Sequence, residues 1–405
     1  YRSTFIILII ALIVSIIGNI SLGSVSIPLK EVFNGLFGAL GDGRIRIVAG
    51  SFPPPSDLFN PAAVKFGPDG MLYILDQAGK VFKANPDGDD EKTLFATLQP
   101  GLDNMTFDED GSLYMTNNDE GWVAEILDNG QARILSPGGI IRPQGLVAME
   151  GPNNQDMLFE ADLFSLRKFN GTNGRQVDQY KGFLIPQGPT SLVLPMNLSP
   201  DGGKIIVSSW FSGGVQVWDP QDPENPENIS YGDERQKVPI DAVRVNGEIF
   251  ISDLFLGGVV RQGEVNPILP LTVASGLAVN GETLYAADWA TGIIHKVVFD
   301  GGSVVETDEV AQVSFPEGLA LDQEGRLLVV ETGTSSLLRI DLNNGNQVTI
   351  LAEGLEFDTA EFEIVPEAAP PTFFFDAVAV GPSGDIYVTG GGINVIYKIT
   401  ANKVR

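Results

Sequence analysis

Eight residues share one local setting. Ala62, Asp103, Gln144, Thr190, Asp241, Ser275, Glu317 and Asp376 each head a short apolar run, variants of x-[Gly/Ala]-[Leu/Val]-x-[Leu/Val]. All but Ala62 are polar, and four are carboxylates: Asp103, Asp241, Glu317 and Asp376. Carboxylates that converge repel one another and raise each other's affinity for protons, unless a cation lies between them. Oxygen-only ligands suit Ca²⁺ or Mg²⁺, neither of which needs nitrogen or sulfur donors. The expected site is therefore a ring of acidic oxygens, with Gln144, Thr190 and Ser275 beside it. Trp210 and Trp289 follow the second strands of their units and would supply the apolar wall that small-ligand sites have.

Other catalytic chemistries find little material here. The chain has no cysteine, so thiolate catalysis, disulfides and Cys-metal sites are excluded. Its one histidine, His295, lies in GIIHKVVFD, a strand reading that places it away from the acidic positions. No nucleophile elbow, Ser-His-Asp set or phosphate loop is present. An enzyme built on this chain would have carboxylate and metal chemistry only.

The elements that must position these residues form a repeat. The stretch FPEGLALDQEGRLLVVETGTSSLLRIDLNNG, 315–345, reads as three short strands separated by turns. Glycine adopts the positive φ of such turns at no steric cost. The same unit recurs from Ala62 to Asp376, with successive heads 34 to 59 residues apart. Seven units place a turn at the same point: Asp69-Gly70, Asp110-Gly111, Asp201-Gly202, Asn246-Gly247, Asn280-Gly281, Glu324-Gly325 and Ser383-Gly384. Four strands fit such a period, which is the signature of propeller blades. The fold class expected is all-β: an eight-bladed β-propeller with four-stranded blades over 44–405, preceded by one N-terminal transmembrane helix within 1–43. Arg44 to Val48, a strand without a unit of its own, is expected to close the ring as the outer strand of the last blade. Two acidic, proline-bearing stretches, 219–237 and 353–375, are read as surface loops.

The net charge is −27, and 1–43 contributes none of it, because Arg2 and Lys30 offset Glu31 and Asp42. An acidic propeller repels phosphate backbones, which argues against nucleic acid as a partner. Phe5 to Ile17 is almost continuously apolar, and no charge falls between Arg2 and Lys30. Extended to Ile27, the stretch reaches the ~20 residues a bilayer span needs. The apolar core alone would also serve as a secretory signal. The Ile-rich length and the lack of a small-x-small cleavage site favour a retained helix. Either way the propeller is expected outside the cytoplasm.

Two family resemblances follow from the motifs. SLGSVSIPLKEVFNGLFG, Ser21 to Gly38, resembles the start of the iron-siderophore/cobalamin uptake permeases of ABC transporters. That resemblance implies a permease partner or a continuation into one, with the propeller as an external insert. RPQGLV, FPEGLALDQEG and the Asp-led units resemble the gluconolactonase/senescence-marker-protein superfamily and its NHL-repeat relatives. In that superfamily a Glu, an Asn and an Asp at the channel mouth hold a metal. The resemblance thus implies Glu317, Asn104 and Asp241 or Asp376 as ligands of Ca²⁺. The expectation is a membrane-tethered extracytoplasmic binding module that takes a small-molecule or protein ligand at its mouth. The alternative is a Ca²⁺-dependent hydrolase of small lactones or esters.

Overall fold

A computed structural model describes residues 58, 60–87, 92–183, 191–230, 237–357 and 374–400. Alternating apolar patterns with glycine at positive φ in the turns build eight antiparallel sheets. Seven have four strands, and the eighth has three among the described residues. The inner strands, in chain order, are Pro61–Phe66, Leu102–Phe107, Pro143–Glu150, Asn197–Asp201, Pro239–Val245, Ala274–Asn280, Pro316–Leu321 and Val378–Val380. We number the sheets 1 to 8 accordingly. Within each sheet the strands run meander-fashion outward from the inner one. The all-β class and the eight units of the sequence reading are all present.

How the sheets join differs from a single ring of eight. Inner strands neighbour one another from sheet 3 through sheet 8, and sheet 8 then returns to sheet 3. One apolar cluster seals this seam, combining Leu146, Leu158 and Phe169 of sheet 3 with Ala377, Ala379 and Tyr387 of sheet 8. Buried Asp156 clasps it: its carboxylate accepts the Ser383 amide at 3.0 Å, the Tyr387 hydroxyl at 2.8 Å and the Ser383 hydroxyl. Burial and this carboxylate push the Tyr387 phenol up to about 12. Six sheets therefore enclose one channel.

Sheets 1 and 2 pack on each other through Tyr73, Leu75, Leu102, Met105, Met115 and Trp122. Their inner strands lack the burial of those in the ring: Val64 is 56% and Phe66 65% exposed, whereas Pro239–Val245 is buried along almost its whole length. The physical reason is local: sheet 3 can bury its inner face against sheet 8 or against sheet 2, and sheet 8 occupies it.

Two further expectations are revised or lie elsewhere. Asp222–Ser230, read as part of a loop, is the outer strand of sheet 4. Its prolines are tolerated there because an edge strand leaves one row of N–H groups unused. Arg44 to Val48 and the apolar segment 5–27 lie outside the described residues. Among the described residues, no helix is long and apolar enough to cross a membrane.

Candidate functional site

The ring has a top face, carrying the lead-in to each inner strand and the hairpins between second and third strands. The bottom face carries the Asp-Gly and Asn-Gly turns. The lead-in loops are fixed by carboxylates at the ends of the second strands. Asp162 accepts the amides of Ile141 and Arg142, Asp253 those of Lys237 and Val238, Asp288 those of Thr272 and Val273, and Glu331 that of Ser314. All four are buried. Buried amides must find acceptors, and a carboxylate that satisfies two at once locks the loop over the strand end.

Gln144, Asp241, Ser275, Glu317 and Asp376 all sit at the heads of ring strands and are all buried. Asp241, Ser275 and Glu317 tie their sheets to neighbours, and the Asp376 carboxylate caps an amide of its own sheet. Asp241 accepts the Ser199 hydroxyl at 2.7 Å, its own neighbour Ala242 N at 2.7 Å and Leu277 N of sheet 6 at 2.8 Å. Glu317 accepts Asp376 N at 2.7 Å, and Asp376 accepts Gly391 N at 2.8 Å. The Ser275 hydroxyl donates to Pro316 O at 2.8 Å. The Gln144 amide nitrogen is buried without a hydrogen-bond partner among the described residues.

Asp103 and Asn104 are not in this set. They lie exposed on the inner strand of sheet 2, outside the six-membered ring. Thr190 falls outside the described residues, and another residue takes its place in the repeat. Gly145 N donates to Met196 O as Gly318 N donates to Asp376 O, so the head of sheet 4 is Met196. The sequence carried that signal: Met196 stands five residues ahead of its turn residue Asp201, as Asp241 does of Asn246 and Ser275 of Asn280.

Among the described residues the expected donors are therefore not grouped around one centre. The oxygens of Asp241, Glu317 and Asp376 accept protein hydrogen bonds, and Asp103 and Asn104 belong to a separate unit. Among the described residues, no three His, Asp or Glu side chains are grouped so as to hold a metal ion. His295 is half-buried on the third strand of sheet 6, and burial lowers its pKa.

A cavity of about 260 Å³ occupies the channel. Its wall is made by the six inner strands, from Leu146, Leu198, Leu277 and Ala377 near the top to Pro200, Arg244, Val279 and Leu321 near the bottom. The lining side chains are apolar apart from those of Asn197, Ser199, Asp241 and Arg244. Arg244 is held at the bottom rim by Asp201, at 2.9 Å from Nε. Burial pushes the Asp241 carboxyl up to about 7, against the lowering effect of its hydrogen bonds. Above Asp241, Ile240, Val273, Trp289 and Phe375 form one apolar cluster that joins sheets 5, 6 and 8 across the top, with Trp210 at its edge. Trp289 stacks on Phe315 with ring centres 4.5 Å apart. Both tryptophans thus lie at the top of the channel, as the sequence placed them, and the cavity extends beneath them toward the bottom face.

Comparisons with known proteins end at the level of the fold. No protein family matches the chain, and no curated protein sequence does. Among solved structures it is similar to a luciferin-regenerating enzyme, at 14% identity over 66% of this chain and 94% of that one, TM-score 0.45. It is also similar to virginiamycin B lyase from Staphylococcus aureus, at 14% identity over 67% and 91%, TM-score 0.36. A third is the WD40 β-propeller domain of Doa1, at 16% identity over 88% and 97%, TM-score 0.38. The propeller assignment rests on the sheets themselves.

Proposed function

We propose that the chain is a membrane-tethered, extracytoplasmic binding propeller whose channel takes a small molecule from the bottom face. The observation that carries this reading is the cavity: mostly apolar side chains from six strands around one buried carboxyl, Asp241, with Asn197 and Ser199 beside it. Ligand pockets are usually apolar, with a few convergent polar groups that fix orientation. At about 260 Å³ the space suits a ligand below drug size. The tether rests on the apolar segment 5–27, and the resemblance of Ser21 to Gly38 makes a metal-chelate uptake permease the partner to test first. Ca²⁺-dependent hydrolysis is not adopted, since the described carboxylates are engaged by protein donors.

Thermal-shift screening of small apolar molecules and metal chelates tests the reading. A true ligand raises the Tm of the wild type, and its affinity falls about tenfold in Asp241→Asn, the loss of one hydrogen bond to a charged or strongly polar group. A ligand whose binding ignores Asp241→Asn lies elsewhere. A screen without hits in either class removes the binding reading.

A further inference from the structure

We propose that sheets 1 and 2 move as one body on the Pro137-Gly138-Gly139 stretch, and that the charge cluster between sheets 2 and 3 is a proton-controlled latch, closed in acid and released as pH rises. This device is separate from whatever the channel binds.

The contact between the two bodies is polar. Among the described residues, the apolar clusters of sheets 1 and 2 take in no residue of the ring, and those of the ring take in none of theirs. Arg167 of sheet 3 instead reaches the Glu120 carboxylate at 3.2 Å and the Asp119 carbonyl, while Lys181 pairs with the Asp119 carboxylate. A cleft of about 430 Å³ runs along this contact, with Gln99, Asp119 and Glu120 on one side and Gln176, Gln179 and Lys181 on the other. The cluster therefore borders solvent. The stretch 137–139, which joins the bodies, is exposed. Gly138 passes so close to the Glu120 carbonyl oxygen that a Cβ would stand 1.4 Å from it, and Gly139 N donates to the same oxygen at 3.0 Å. Adjacent glycines allow the φ/ψ change that a hinge must absorb.

Charge balance sets the latch. The ring side contributes Glu160, Asp162, Arg167 and Lys181, two acids against two cations, and sheet 2 adds the acids Asp119 and Glu120. Asp178, at the rim of the cleft, accepts the Tyr180 hydroxyl at 2.8 Å. Sheet 8, packed on the same face of sheet 3, brings Tyr387, held by Asp156, Lys398, paired with Asp385 at 2.9 Å, and Asp376, which accepts Gly391 N. Arg142 of the lead-in lies over the Phe374 ring. Docking thus gathers four carboxylates around two cations. Neither oxygen of fully buried Glu160 has a hydrogen-bond partner among the described residues. Excess negative charge in a low-dielectric contact is relieved by taking up protons. Burial raises Glu160 well above the usual carboxyl range and Asp119 to about 6. Freed from the contact, Asp119 returns toward 3.8, so docking binds protons that separation gives up. The latch is therefore fully closed below about pH 4 and weakens as pH rises through 6.

The chain has no cysteine, so introduced pairs carry spin labels uniquely. In the full chain, labels at Leu94 of sheet 1 and Val348 of sheet 7, both exposed, report the bodies relative to each other. Labels at exposed Thr172 of sheet 3 and at Val348 report the ring across its seam. We expect one distance for the first pair at pH 5 and a second, longer one at pH 8. The open-to-closed ratio should rise about tenfold or more over that range, tenfold being the share of Asp119 alone. The ring pair should not change. Asp119→Asn, which keeps the shape without the titration, should remove about tenfold of the rise, and adding Glu160→Gln should remove the rest. If the double variant fails to fold, Asp119→Asn alone carries the test. A single distance from pH 5 to 8 overturns the hinge. A rise as large in Asp119→Asn as in the wild type overturns proton control by this cluster. A ring pair that shifts together with the first shows unfolding of the ring and overturns the latch.

Discussion

At the scale of single residues, Asp241 is the most informative. It stands where the sequence put it, at the head of a strand and on the channel, but it faces the Ser199 hydroxyl and two amides in place of other carboxylates. Its pKa of about 7 in the fold exceeds the ordinary 3.8 because burial disfavours the anion. The folded protein therefore keeps a proton that the unfolded chain releases. Stability contributed by this group is fully present below about pH 4 and is lost as pH rises toward 7. At 1.36 kcal/mol per unit the whole effect is on the order of 4 kcal/mol. Urea denaturation from pH 4 to 8 should show this decline, and Asp241→Asn should flatten it. The variant will also lower stability at acid pH, since its amide meets the Leu277 N–H as donor against donor. An unchanged slope in the variant would assign the pH dependence to other groups.

At the scale of elements, the junction between sheets 2 and 3 is the feature that sequence periodicity did not announce. Arg167 is fully buried on the third strand of sheet 3 and donates to Asp162, Glu120, Gln176, Asp119 O and Gly139 O. Beside it, Lys181 pairs with Asp119, whose carboxyl burial raises to about 6 although the lysine pulls the other way. Glu160, buried between Asp162 and Arg167, has its pKa raised well above the usual range, first by desolvation and then by Asp162. Removing the guanidinium from such a cluster leaves the Asp162 and Glu120 carboxylates without their cation. Arg167→Leu should cost ~3–5 kcal/mol in chemical denaturation. Proteolysis should then cut 137–142 before the ring unfolds, because that stretch is held by Arg167 and Asp162. A variant as stable and as protease-resistant as the wild type would show that apolar packing alone joins the units.

At the scale of the whole molecule, closure of the ring between sheets 8 and 3 makes the six-sheet body self-contained. A fragment of 137–405 should fold alone, with β-rich circular dichroism and one cooperative thermal transition, because every inner strand in it keeps its two neighbours. Truncation before Asp376 removes Tyr387 and Ser383 from the Asp156 clasp and opens the seam. That shorter chain should lose cooperativity. If 137–405 fails to fold while the full chain is stable, sheets 1 and 2 are needed for closure and the ring depends on all eight units.

The sequence by itself determined the unit. Period-two alternation and glycine turns fix strand, turn and strand locally, so eight sheets, their inner strands and the buried heads Gln144, Asp241, Ser275, Glu317 and Asp376 were legible. It misplaced the head of sheet 4 because the run TSLVLP imitates the pattern six residues ahead of Met196. Only tertiary structure decided how many units share one ring. All eight carry similar faces, and which pair meets at the seam depends on long-range complementarity, here Asp156 with Tyr387 and Ser383, more than two hundred residues apart. Only tertiary structure, too, decided the partners of the carboxylates. Symmetry of the repeat brings their backbones to one face, but a side chain turns to the nearest unsatisfied amide, and in this molecule each found one.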